Sequence, residues 1–68
     1  MSVTNLFVPQ LAQSVSSQLD AVDALRFALT EQQAESGNHL EQEALQAELD
    51  RFTAVASNLN SALEKLAA

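Results

Sequence analysis

The second half of the chain carries the cleaner pattern. Leu45, Leu49, Phe52, Ala56, Leu59, Leu63 and Leu66 follow one another at spacings of four and three residues. That spacing sets all seven on one narrow stripe of an α-helix, the heptad arrangement by which helices pack side by side. The opposite side holds Glu43, Ala47, Asp50, Ala54, Ser57 and Ser61, which are polar or small. The first half follows the same rule with one fault. Val8, Val15, Val22 and Leu29 recur every seven residues, with Leu11 and Leu25 as companions, and Gln18 stands where a third companion is expected. A polar residue in a seam costs stability and fixes register or oligomeric state. The simpler reading is that Leu19 rotates into the gap.

Two stripes therefore define one predicted seam. It comprises Leu11, Val15, Leu19, Val22, Leu25 and Leu29 from the first helix, and the seven residues from Leu45 to Leu66 from the second. Flanking the stripes are Ala21 and Ala28 on the first helix and Val55 and Ala62 on the second, which widen them and allow further helices to approach closely.

Between the halves lies Glu35-Ser36-Gly37-Asn38-His39. Gly37 suits a left-handed helix C-cap, the conformation glycine adopts without strain. Asn38 with Glu41 three residues later reads as an N-cap with capping-box chemistry. Glu41 and Glu43 favour the positive start of the second helix, and Lys65 its negative end. At the other end, Pro9 fits the first helical turn, with Thr4, Asn5 or Val8 as cap. The prediction is one domain over residues 1–68: helix 1 from about residue 5–9 to 36, a tight turn over 36–39, and helix 2 from about 39 to 67. At ~1.5 Å per residue each helix is roughly 40 Å long. Two helices of matched length on a short loop pack antiparallel, so the fold class is all-α, an antiparallel two-helix hairpin. The paired Leu-Asp steps in 18–25 and 48–55 reflect that shared rule rather than an internal repeat.

Composition agrees. Glycine and proline occur once each, tyrosine, tryptophan and cysteine are absent, and alanine, leucine, glutamine and glutamate dominate. That is a helix-former's composition with no strand signal. A chain of 68 residues gains only ~3–5 kcal/mol from its own core, and without cysteine it has no disulfide staple. Each seam side chain in a two-helix pair is covered on one side only. The expected remedy is a partner: a second copy completing a four-helix bundle as a homodimer, or a larger protein with a complementary surface.

Charge narrows the partner. Nine acids against three bases give a formal net charge of -6, which repels phosphate backbones and anionic lipids. Nucleic acid and membrane surfaces are thus disfavoured partners. No apolar run reaches bilayer-spanning length, and the first basic residue is Arg26, so a basic signal-peptide start is missing. The expected location is cytoplasmic, with an uncleaved export signal of the Ser2, Thr4, Asn5 type left open.

Residues that the seam does not absorb are the candidate partner-binding set: Leu6, Phe7, Val8, Gln18 and Phe27. Leu6, Phe7 and Val8 form an apolar cluster before Pro9, either a staple folded onto helix 1 or an arm toward a partner; the staple is favoured. Phe27 lies nearly opposite the helix 1 stripe. A single exposed aromatic is ordinary, whereas an anchor in a partner's groove is the sharper reading.

The inventory for chemistry is thin. The single histidine, His39, sits at the turn near Glu35 and Ser36, in an exposed loop that gives no oriented triad. Glu35, His39 and Glu43 supply three metal ligands at best, where structural zinc prefers four. With one glycine there is no phosphate-cradling loop. Arg26, Arg51 and Lys65 do not cluster; Asp23–Arg26 and Glu48–Arg51 read as weak helical pairs. Hence no catalysis, cofactor, metal or small-molecule substrate is expected.

In size and layout the chain resembles Rop-like plasmid copy-number regulators, dimeric hairpins that bind RNA loops. Around Gln46, Leu49, Phe52, Ser61, Ala62 and Lys65 it is similar to the C-terminal helix of type III secretion needle subunits, although Ser36-Gly37-Asn38 replaces their proline-containing turn. These resemblances imply a nucleic-acid regulator or a small secretion-apparatus subunit as alternatives. The residues themselves point first to a protein–protein interaction module: an adaptor, scaffold or co-chaperone-like subunit acting through coiled-coil-type helix packing.

Overall fold

A computed structural model describes residues 3–67, with side chains described from Phe7 onward. Helix α1 spans Val3–Glu35 and helix α2 spans His39–Ala67. They pack against each other as an antiparallel hairpin, and no strand occurs among the described residues. The molecule measures 58 × 14 × 13 Å, with a radius of gyration of 16.1 Å. A compact globule of this length would have a radius near 11 Å. The hairpin is a rod with a seam, not a ball with a centre.

The reversal is built from side-chain caps. The N–H of Ser36 ends α1 by reaching the carbonyls of Gln32 and Gln33, at 3.1 and 3.3 Å. Asn38 caps α2: its Oδ1 accepts from the N–H groups of Leu40 and Glu41, at 2.9 and 3.2 Å. Two of the unsatisfied donors at the helix start are thereby met. The reciprocal half of a capping box is not formed, because the N–H of Asn38 is taken by Ser36 Oγ at 3.2 Å. Gly37 also departs from expectation. No described residue, glycine included, has a positive φ, so the turn closes through Ser36 and Asn38 without a left-handed residue.

The start of α1 is earlier than the position of Pro9 suggests. Pro9 lies inside the helix, in its second turn. Lacking an N–H, it leaves the carbonyl four residues back, that of Asn5, without its helical donor. The Leu6-Phe7-Val8 segment is therefore helical, and a staple folded back from before the helix is not formed. Phe7 is exposed and Val8 half-buried; Leu6 lies outside the described side chains, and Ser2 outside the described residues.

Only two described residues are buried, Val15 at 9% exposure and Ala56 at 3%. Around them the half-buried positions recur at spacings of four and three on both helices. On α2 they include all of Leu45, Leu49, Phe52, Leu59, Leu63 and Leu66. On α1 they are Val8, Ala12, Leu19, Val22, Arg26, Leu29 and Gln33. Leu11 and Leu25, expected in the seam, are instead exposed at its flank. The reason is geometric. Residues three and four positions after Val8, Val15 or Val22 both lie near the same helical line. The rotation that buries Leu19 brings in Ala12 and Arg26 and turns out Leu11, Gln18 and Leu25. The alternative would bury the Gln18 amide, which costs free energy unless it finds partners.

Candidate interaction surface

Seen from the seam outward, the hairpin has two broad faces, and they differ. Leu11, Gln18 and Leu25 each stand one residue before a seam position of α1. Glu48, Val55 and Ala62 stand one residue before seam positions of α2. Because the helices are antiparallel, a two-fold rotation normal to their common plane relates them, so equivalent flanks share a face. Leu11 is 38% exposed, Leu25 49% and Val55 42%. Phe7, one helical turn before Leu11 and exposed, continues this apolar face.

The other face is polar. Its inner flanks carry Ser16, Asp23 and Thr30 from α1, and Gln46, Thr53 and Asn60 from α2. Asp20, Glu43, Asp50 and Glu64 stand just outside them. Phe27, 68% exposed, lies on this acidic side. Gln18 lies exposed on the apolar face, where its Nε2 donates to Ser14 Oγ at 3.4 Å. The candidate residues therefore divide, with Phe7 and Gln18 on one face, Phe27 on the other, and Val8 in the seam.

At the turn end the seam itself becomes polar. Gln33 Nε2 donates to the carbonyl of Gln42 at 3.2 Å and to Gln46 Oε1 at 3.0 Å. Gln42 Nε2 in turn donates to the carbonyl of Ser36 at 2.6 Å, and Gln46 Nε2 to Asp50 Oδ1 at 3.0 Å. These glutamines clasp the helices across the reversal. The sequence did signal them: Gln33 stands four residues after Leu29, and Gln42 three before Leu45, so both continue the seam rows.

Arg26 stands half-buried at a seam position, where an arginine's long apolar stem suits a partly covered site while its charged end stays solvated; Nη1 lies 3.1 Å from Asp23 Oδ1. Arg51 pairs with Glu48 at 3.2 Å. Pairs this exposed contribute at most about 1 kcal/mol each. His39 Nε2 lies 3.1 Å from Glu43 Oε1, with both side chains largely exposed. Among the described residues, no three His, Cys, Asp or Glu side chains converge to hold a metal ion, so Glu35 does not join that pair as a third ligand. No helix among them is long and apolar enough to cross a membrane.

No family model matches the chain, and neither does any curated protein or solved structure with which it was compared.

Proposed function

We propose that this chain is a small protein–protein interaction module, an adaptor, scaffold or co-chaperone-like subunit that acts by packing helix against helix and performs no catalysis itself. One observation carries this reading: the seam is half covered. Val15 and Ala56 are the only buried residues described, while Leu11, Leu25 and Val55 remain exposed beside the seam. A two-helix layer cannot cover both sides of its own apolar stripe, so its stability depends on a further helical surface. Packing in the coiled-coil manner, into a four-helix bundle, is the arrangement this geometry favours.

The test is circular dichroism of the full chain across protein concentration, joined to sedimentation equilibrium. The expected result is helicity and unfolding cooperativity that rise with association. Cooperative unfolding of a monomer, independent of concentration, would overturn the reading. The RNA-binding and secretion-apparatus alternatives have no specific structural observation in their favour.

A further inference from the structure

We infer that the apolar face carrying Leu11, Leu25 and Val55 is where a second copy of this chain packs, giving a two-layer bundle with the acidic faces outward. The inference rests on the helix-packing reading above and deepens it by naming the surface and the occupant.

Area is the first argument. A compact protein of 7.3 kDa exposes about 4,200 Å², whereas the hairpin exposes 5069 Å². The excess of about 900 Å² is close to the ~800 Å² that each partner buries in a standard stable interface. Burying about that area against one additional hairpin brings each chain to the exposed area of a compact protein of its own mass. The apolar face is long enough for the task, because Phe7 and Leu25 are separated by about five helical turns, roughly 27 Å.

Charge is the second argument, and it selects the face. Two chains of formal charge -6 repel each other wherever their acids meet. The acids are unevenly placed. The polar face holds Asp20, Asp23, Glu43, Asp50 and Glu64, with Arg26 as the only Lys or Arg beside them. The apolar face is close to balanced: Glu35, Glu41 and Glu48 against Arg51 and Lys65, with the first two at the turn end. Stacking through the apolar face separates the acidic sides, whereas stacking through the other would desolvate five carboxylates against five. Like-charge juxtaposition of that kind costs several kcal/mol.

Shape is the third. Ala21 and Ala28 on α1 and Ala62 on α2 are small positions beside Leu25 and Val55, while Gln18, Glu48 and Arg51 are the long polar side chains of this face. Helices meeting over small residues approach closely, and Leu11, Leu25 and Val55 then act as the protruding contacts. An isologous interface of this kind closes on itself, so association stops at two.

Sedimentation equilibrium on the full chain should give twice the monomer mass at micromolar concentration. Leu25→Glu should weaken that association at least 100-fold, and Phe27→Glu, on the opposite face, should change it less than threefold. As a second readout, the chain has no cysteine, so single thiols can be placed at Gln18→Cys and Thr53→Cys. Thiol labelling at position 18 should slow as concentration rises through the association range, while labelling at position 53 should not. A dimer broken by Phe27→Glu and not by Leu25→Glu would overturn the assigned face while leaving the helix-packing reading intact. So would a chain that stays monomeric and poorly ordered until another protein is added, which would overturn the second copy. A monomer that folds cooperatively at every concentration would overturn both.

Discussion

Gln33 on α1 reaches Gln46 on α2, Nε2 to Oε1 at 3.0 Å, and the same amide also serves the backbone carbonyl of Gln42. The pair stands where the apolar stripe of α1 runs out, two turns beyond Arg26. Apolar side chains tolerate sliding along a seam, because leucine meets leucine equally well one turn away. A hydrogen bond has one partner at one distance. The glutamine clasp therefore sets the register that the stripe leaves loose, the use best attested for polar residues in helical seams.

Gln33→Ala should lower stability by about 1 kcal/mol, the net value of a hydrogen bond exchanged for water contacts. Gln46→Ala should cost less, since Gln33 keeps the Gln42 carbonyl. Urea unfolding at one fixed protein concentration measures both, and combining the two substitutions isolates their coupling. If the double variant falls by the full sum of the singles, the side chains do not act as a clasp.

Asn38 supplies two acceptor bonds to the start of α2. Asn38→Ala should cost about 1 kcal/mol, and Asn38→Asp or Asn38→Ser should recover most of it, because each retains an oxygen for the same N–H groups. Equal midpoints for all three variants would show that solvent satisfies those donors as well as the side chain does.

Gly37 is not needed as glycine. Its φ is not in the left-handed region, and a Cβ built there meets nothing within 4 Å. Gly37→Ala should therefore raise stability by about 0.4–1 kcal/mol, by narrowing the conformations of the unfolded chain. A lowered unfolding midpoint would mean that the turn passes through a conformation that only glycine reaches easily.

The hairpin and the whole α2 stripe were legible in the sequence because Leu45-to-Leu66 keeps one unbroken rule. Asn38 was legible as a cap for the same kind of reason: its chemistry is local. What escaped was the rotation of α1. Its apolar residues spread over more than one line, and Val8, Val15 and Val22 allow either the Leu11–Gln18–Leu25 row or the Ala12–Leu19–Arg26 row beside them. Only the partner helix decides between these, and that contact is not written in the residues of α1 alone. The two-faced surface follows from this choice, so Leu11 and Leu25 read as seam until α2 was in place. The turn misled differently: Gly37 fits a common cap, but the N–H of Ser36 serves the carbonyls of Gln32 and Gln33, and the Gln42 amide serves that of Ser36, without a left-handed residue.

Ala56 is the tightest point of the seam, 3% exposed. Ala56→Leu should destabilise the hairpin by about 1–3 kcal/mol, because added methylenes in a closed contact force side chains and backbone apart. Ala47, exposed on the outer side of α2, provides the control: Ala47→Leu should shift the urea midpoint little. Similar losses at both positions would indicate that helix propensity, not packing, dominates.

Phe27 and Leu59 offer the sharpest contrast between surface and seam. Phe27 is large but 68% exposed, while Leu59 is half-buried between the helices. Phe27→Ala should therefore change stability by no more than about 0.5 kcal/mol, the usual range for a surface substitution. Leu59→Ala should cost about 2 kcal/mol, the low end for a core leucine, since its side chain is only partly buried. Both are read from urea unfolding at matched concentration, with the slope checked for a common cooperative transition. If the two lose equal stability, Phe27 belongs to a buried contact, the acidic face is also covered, and the division of the hairpin into one sticky and one solvated side fails.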